Sequence, residues 1–307
     1  MDTYSTGAPA EVHYFDRPLV LLSASSEQAM ARANQTVESF GLRIGGRMPI
    51  ARAKERIAKQ IAATALWIEL DGDCGGPMDE LLSQVNRDVA AGRYAAVVSA
   101  NAALIDPVAA KLDESAVELI VDADDAERAA ALATVTARAA LPFRLSDAAN
   151  DSNTERLRQL SDEVSRIAST LARLSTGPGD AARAAELLPA DDVPPVSAET
   201  VRAVIRARRL RSHYFREELF ADPAWDMLLD LLQAEIAQLR VPVSSLCIAA
   251  AVPATTALRW LKTMVSQGLF VRRSDPHDGR RVFVELAPEA SRAMRHYFAE
   301  IGQSRPI

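Results

Sequence analysis

Three helical patterns and two short alternating runs follow one another in the last third of the 307-residue chain, and few folds accommodate that order. Apolar residues recur at helical spacing over residues 223–239, 246–251 and 254–267. Val252 and Pro253 separate the last two helices, and Gly268 ends the third, because a residue without a Cβ can adopt the left-handed conformation found at helix ends. Two helices joined by so tight a turn predict a helix-turn-helix.

The chain after Gly268 predicts a β-hairpin. Residues 269–273 and 282–286 are short alternating runs, and the polar stretch between them contains Gly279. A polar, glycine-containing turn between two such runs is typical of a hairpin. Upstream, Ser197 is suited to cap a further helix. Residues 198–307 are therefore predicted to form one α+β domain, a winged helix-turn-helix.

Three motifs of this region resemble the MarR family of winged-helix regulators. They are Gly-Leu-Phe-Val-Arg-Arg at 268–273, Asp-Pro-His-Asp-Gly-Arg-Arg at 275–281 and Val-Glu-Leu-Ala-Pro-Glu-Ala at 284–290. The resemblance covers roughly residues 197–300 and implies that the third helix reads the major groove of DNA. It also implies that a wing arginine, Arg280 or Arg281, reaches the minor groove and that Asp275 or Asp278 braces the wing. The family usually has Leu-Thr where this chain has Leu286 and Ala287, a change that affects a helix cap and not DNA contact.

The face of the third helix that meets DNA depends on which apolar stripe is buried. One frame buries Leu258, Leu261 and Val265 and exposes Trp260; the other, which the family pattern suggests, buries Ala257, Trp260, Leu261 and Met264 and exposes Leu258. In both frames Thr255, Arg259 and Lys262 avoid the core, and Thr256 follows them closely. These four residues are the predicted DNA contacts, with arginine suited to guanine and lysine to phosphate.

The amino-terminal region alternates short apolar runs with helical patterns. The predicted strands are 19–22, 65–70, 95–99 and 117–121. The predicted helices are 27–40, 78–91 and 124–140, with a turn at 107–112. Nearly continuous apolar runs suit strands buried on both faces of a parallel sheet. Residues 17–147 are therefore predicted to form a doubly wound α/β domain.

This domain resembles a response-regulator receiver, with departures at the positions that carry chemistry. Asp71 or Asp73 matches the phosphate-accepting aspartate and Ser99 the serine or threonine after it. Serines at 23, 25 and 26 stand where the acidic pair of receivers holds Mg²⁺, and Asp122 stands where receivers have lysine. Without the acidic pair, phosphoryl transfer loses its main electrostatic support. The resemblance implies a degenerate receiver-like domain used for dimerisation or for contact with a protein partner.

A heptad pattern lies between the two predicted domains. Its apolar positions are Leu157, Leu160, Val164, Ile167, Leu171 and Leu174. Spacings of three and four over about three repeats predict a coiled coil over residues 151–176, and hence a homodimer. A single amphipathic helix lying on its own domain is the alternative. Residues 177–197, rich in Pro, Gly and Asp, are predicted to be a linker, and residues 1–16 a flexible tail.

The charge of the chain is divided unevenly. Residues 201–307 carry 16 Arg and Lys against 11 Asp and Glu, a balance of +5, whereas residues 1–200 carry −11. A local basic surface determines attraction to phosphates, so the overall charge of −6 does not exclude nucleic acid. No signal sequence or long apolar run is evident, so we expect a cytoplasmic protein without a membrane segment.

The remaining composition argues against other functions. The two cysteines, Cys74 and Cys247, cannot form a disulfide framework or a multi-cysteine metal site. No grouping of nucleophile, base and orienting residue suggests an enzyme, and we expect no cofactor. The sequence therefore predicts a dimeric, sequence-specific regulator of transcription that binds double-stranded DNA. The alternatives are a phosphorylatable response regulator and a winged helix that binds protein.

Overall fold

The computed structural model describes residues 19–59, 65–112, 117–147 and 194–303. The chain divides into two compact units. The first comprises 1–99, 116–118 and 123–139, and the second 100–115, 119–122 and 140–307. The predicted tail, the heptad seam and most of the predicted linker lie outside the described residues.

A five-stranded sheet organises the amino-terminal region. Its strands are β1 (Leu19–Ala24), β2 (Arg43–Pro49), β3 (Ala65–Leu70), β4 (Ala95–Ala100) and β5 (Glu118–Val121). Their order is β2-β1-β3-β4-β5, and β1 pairs in parallel with both β2 and β3. This is the flavodoxin-like doubly wound order, in which ligands and reactive groups collect at the carboxyl ends of the strands. The predicted α/β architecture is confirmed.

Helices alternate with the strands along this part of the chain. They are α1 (Glu27–Ser39), α2 (Ile50–Lys59), α3 (Gly76–Ala90), α4 (Ile105–Ala109) and α5 (Asp125–Asp147). Each agrees with a predicted helix or turn except α2, which the sequence analysis missed together with β2. The β2 sequence, Arg-Ile-Gly-Gly-Arg-Met-Pro, contains two glycines and little β-branched character, so its pattern does not indicate a strand.

Strand β3 forms the centre of the first unit. Every residue of its Ala-Leu-Trp-Ile-Glu-Leu sequence is buried, as expected for a strand covered on both faces. Trp67 is fully buried, and Leu81 and Val85 of α3 are also fully buried. Burial of such side chains removes apolar surface from water and is the main favourable contribution to the stability of this unit.

Over residues 194–303, the described part of the second unit contains five α-helices. They are α6 (Ala198–Leu210), α7 (Pro223–Ile236), α8 (Val243–Ala249), α9 (Ala254–Ser266) and α10 (Pro288–Gln303). A three-stranded sheet joins them, with β6 (Val241–Pro242), β7 (Phe270–Ser274) and β8 (Val282–Leu286) in the order β6-β8-β7. Strands β7 and β8 are antiparallel, so the predicted hairpin is confirmed.

The helix starts of this unit follow local sequence signals. The Ser197 hydroxyl accepts a hydrogen bond from the Thr200 N–H at 3.1 Å and caps α6, as predicted. Asp222 caps α7 in the same way, and Pro223 occupies its first turn. Across the described ranges no single helix is long and apolar enough to span a membrane; the bent pair α8 and α9 meets that test by length and composition only.

Candidate nucleic-acid interface

Helices α8 and α9 form the predicted helix-turn-helix. Their axes meet at 107°, within the range typical of this motif. Ala251 in the turn has a φ of 53°, a left-handed conformation that lets the chain reverse between the helices. After α9, Gly268 has a φ of 70°, which is the helix-ending conformation predicted for it.

The buried face of α9 matches neither predicted frame completely. Its core side chains are Ala257, Leu258, Leu261 and Met264. Leu258 and Trp260 were assigned oppositely by the two frames, and the structure buries Leu258 while Trp260 is 39% exposed. The helix thus packs on a stripe wider than either frame assumed. Arg259 is exposed, whereas Thr256 and Lys262 are half-buried, so all three side chains are at least partly accessible to solvent.

Thr255 does not lie on that surface, and the prediction that it avoids the core is wrong. It is 1% exposed. Its hydroxyl accepts a hydrogen bond from the Val121 N–H at 3.0 Å and donates one to the Val121 carbonyl at 3.2 Å. Both the amide and the carbonyl of one β5 residue are therefore bonded to the first turn of α9.

Two further contacts join the same stretch of chain to the helix-turn-helix and the hairpin. The Asp106 carboxylate of α4 accepts hydrogen bonds from the Ser244 N–H at 3.0 Å and the Ser244 hydroxyl at 2.5 Å, at the start of α8. Arg272 of β7 donates to the Ala109 carbonyl at 2.5 Å. None of these three hydrogen bonds was predicted from the sequence, because each joins residues more than 130 positions apart.

The wing turn is held by its two aspartates. The Asp278 carboxylate accepts the Arg280 N–H at 2.9 Å and forms an ion pair with the Arg281 Nε at 3.2 Å. The Asp275 carboxylate accepts the His277 N–H at 2.9 Å. Both candidate brace residues thus bond the turn. Arg281 is 63% exposed and Arg280 is half-buried, so Arg281 is the better placed of the two to enter a groove.

Two arginines beside the wing were missed by the sequence analysis. The Arg240 guanidinium lies 5.4 Å from the centre of the Phe283 ring, within the range of a cation–π contact. Arg273 pairs with Phe283 across the hairpin and is exposed, with an ion pair to Glu285 at 3.4 Å. An exposed ion pair of this kind is weak, so Arg273 can leave Glu285 and pair with a phosphate group at little cost in free energy.

A second candidate site lies at the carboxyl ends of β1 and β3, where the strand order reverses. The Asp71 carboxylate accepts hydrogen bonds from the Ser25 hydroxyl at 2.6 Å and the Ser26 hydroxyl at 2.5 Å. These bonds hold the pKa of Asp71 below its usual range, and Arg32 at 3.6 Å acts in the same direction. The structure therefore brings together Asp71, one of the two aspartates predicted at the phosphate-accepting position, and the serines predicted at the positions of the acidic pair.

The other residues that the sequence matched to receiver positions have hydrogen-bond partners of their own. Ser99 accepts a hydrogen bond from the Arg128 guanidinium at 3.1 Å. Asp122 has a φ of 46°, and its carboxylate accepts the Ala102 N–H at 3.2 Å. Asp73 accepts the Gly75 N–H within its own loop. Within the described ranges, no group of three or more metal-ligating side chains is assembled.

Comparison with known proteins gives limited similarity. No protein-family model and no curated protein matches the chain. RcsB from Salmonella enterica serovar Typhimurium, solved bound to promoter P1flhDC, is 15% identical with a TM-score of 0.30, over 80% of this chain and 93% of its own. The transcriptional regulator Tm0710 from Thermotoga maritima is 17% identical with a TM-score of 0.22, over 34% and 77%. The adhesin competence repressor AdcR from Streptococcus pyogenes is 17% identical with a TM-score of 0.20, over 34% and 75%. At these values the similarities assign neither a family nor a function.

Proposed function

We propose that the second unit binds duplex DNA through α9 and the wing, and that the chain acts as a dimeric regulator of transcription. The observation that carries the proposal is the arrangement itself: a helix-turn-helix with axes at 107° leads directly into an antiparallel hairpin whose turn presents Arg281. An α-helix fits the major groove of B-DNA, and a narrow minor groove attracts an inserted arginine.

In this proposal, some basic side chains contact bases and others contact the DNA backbone. Arg259, on the exposed face of α9, is assigned to a base edge, because a guanidinium can donate two parallel hydrogen bonds to guanine. Lys262, one turn further along, is assigned to a phosphate. Arg240 and Arg273 lie beside the hairpin and are assigned to the DNA backbone. Such contacts position the protein without reading sequence.

The first experiment is selection of bound duplexes from a random pool with the full-length protein. Enrichment of a defined motif is the expected result. A motif with two half-sites would also report the dimer, because half-site spacing mirrors the symmetry of the protein. Recovery of no sequence above background would contradict the proposal.

Substitutions on α9 then separate base reading from backbone contact. Arg259→Ala is expected to cost about 1–3 kcal/mol on the selected site and to relax preference at one base position. Lys262→Ala is expected to weaken all duplexes alike and to reduce the slope of log affinity against log salt by about one unit. Fluorescence anisotropy on the selected site and on single-base variants measures both effects.

Replacement of Arg280 and Arg281 by Ala tests the wing. The double variant is expected to lose preference for A·T-rich flanks and to keep the preference of α9. Arg292→Ala is the matched control, because it removes an arginine from α10 that pairs with Glu289 outside the helix-turn-helix and wing. If folded Arg259→Ala and the wing variant both bind the selected DNA as tightly as the parent, the proposed use of the winged helix is wrong and the alternative of a winged helix that binds protein is favoured.

A further inference from the structure

The first turn of α9 is covered by the chain's own residues. In helix-turn-helix proteins, the amino-terminal residues of the recognition helix contact base edges. Here that end carries Thr255, which is buried and bonded to both backbone groups of Val121. A helix with its side chains is about 10–12 Å across and the major groove is about 12 Å wide. The groove therefore has no room for α9 and an adjacent β5 together.

The covering residues form one connected piece, which we call the clamp segment and define as residues 100–112 and 119–122. Its two stretches are joined because the Asp122 N–H donates to the Ala100 carbonyl at 3.0 Å and the Asp122 carboxylate accepts the Ala102 N–H at 3.2 Å. Both stretches belong to the same compact unit as the helix-turn-helix. Displacement of one stretch therefore pulls on the other.

The clamp segment contacts the helix-turn-helix and the hairpin at three separate points. The Val121 N–H donates a hydrogen bond to Thr255 at the start of α9. The Asp106 carboxylate accepts hydrogen bonds from both the N–H and the hydroxyl of Ser244 at the start of α8. The Ala109 carbonyl accepts a hydrogen bond from the Arg272 guanidinium of β7, so the clamp segment also contacts a strand of the hairpin. Hydrogen bonds with an ionised donor or acceptor are stronger than those between neutral groups, and Asp106 makes two of them whereas Arg272 makes one, so Asp106 is the attachment chosen for the test.

We propose that the clamp segment is an autoinhibitory element: it competes with DNA for the amino-terminal end of α9, and operator binding requires the Asp106–Ser244 and Val121–Thr255 contacts to open. This inference rests on the proposed function. The affinity of a protein whose competent state is only partly populated is reduced by that fraction, so weakening the closed state raises the observed affinity. Opening of these contacts also exposes Thr255, so that this residue can contact DNA in the open state.

The test uses the full-length protein and the duplex selected above. Asp106→Ala removes two bonds from the clamp without altering a proposed DNA contact. It is expected to tighten binding by about tenfold. Asp125→Ala is the matched control, because it removes an equal charge from an exposed position outside the clamp segment, and it is expected to leave affinity unchanged. Equal affinities for the parent and Asp106→Ala, or equal gains in both variants, would overturn the inference.

A covalent lock tests the opposite direction. Cysteines at positions 106 and 244, placed where the present side chains touch, are expected to form a disulfide under oxidation that abolishes binding until a reductant is added. The two single-cysteine variants, treated alike, control for Cys74 and Cys247. Undiminished binding by the oxidised, cross-linked protein would show that the clamp does not compete with DNA.

Amide hydrogen exchange provides a readout independent of DNA affinity. The Val121 and Ser244 amides are expected to exchange faster in Asp106→Ala than in the parent, and faster in the parent when DNA is bound. If Asp106→Ala accelerates both amides but no variant binds any duplex, the proposed function is wrong and the autoinhibition inference falls with it. If the parent binds DNA and both amides stay protected in the complex, DNA binding stands and the autoinhibition inference fails.

Discussion

At the scale of single residues, the buried ion pair of Glu69 and Arg128 makes a testable contribution to the stability of the first unit. Glu69 sits within β3 with its side chain 2% exposed, an unusual place for a carboxylate. Arg128 donates two hydrogen bonds to it, at 2.6 and 2.9 Å, and the Trp67 indole N–H donates a third at 2.9 Å. The hydrogen bonds to Glu69 raise the pKa of Arg128, and all three bonds offset the cost of burying Glu69.

Arg128→Ala is therefore expected to destabilise the protein by about 3–5 kcal/mol, because it leaves the Glu69 charge buried without its main partner. Urea unfolding measures the loss. Arg87→Ala is the control: Arg87 is exposed on α3, where its guanidinium donates a hydrogen bond to the Gln84 side chain at 2.9 Å, so its removal should change stability by less than about 0.5 kcal/mol. Equal stability of the Arg128→Ala and Arg87→Ala proteins would show that the buried pair is not stabilising.

At the scale of elements, the prediction that this domain does not transfer a phosphoryl group depends on the loops that follow β1 and β3. In this chain the loop after β1 supplies Ser25 and Ser26, and both donate to Asp71. A hydroxyl cannot replace a carboxylate in balancing the charge of Mg²⁺. Within the described ranges, the hydroxyls of Ser25 and Ser26 are the side chains that the loop after β1 brings to Asp71, and the prediction of a degenerate receiver-like domain rests on this exchange of carboxylates for hydroxyls.

Treatment with acetyl phosphate and Mg²⁺ is accordingly expected to leave the protein unmodified, as measured by intact mass. Asp71→Asn, treated in parallel, identifies the site if an adduct does form. A stable phosphoryl adduct on the parent that is absent from Asp71→Asn would favour the response-regulator alternative.

At the scale of the whole molecule, the predicted dimer depends on the heptad seam at residues 157–174, outside the described residues. Replacement of Val164 and Ile167 by lysine places like charges opposite one another in a parallel coiled coil. Sedimentation velocity is expected to show a smaller species or a weaker dimer. A dimer as tight as that of the parent would show that the seam is not the interface.

Much of the element pattern follows from the sequence because its periodicity is strong. Strand β3 was predicted at its observed bounds, since a run of six residues that is apolar except for Glu69 is followed by the Asp-Gly turn. Helix α9 was placed to within one residue, because Pro253 and Gly268 punctuate it. Strand β2 was missed because Gly45 lies at a bulge, where the pairing passes from Val20↔Ile44 to Leu21↔Gly46 and the alternation is interrupted.

The sequence by itself determined the order of elements, the helix-turn-helix with its wing, and the residue types that a DNA-binding surface needs. Only the tertiary structure decided which of those residues are accessible. Thr255 is polar and lies at the start of a helix, so local periodicity predicts exposure, yet it is buried by bonds to Val121, 134 positions away in the chain. Periodicity reports how a helix packs on its own neighbours. A contact made by a distant strand leaves no trace in that pattern, and its existence follows only from the folded chain.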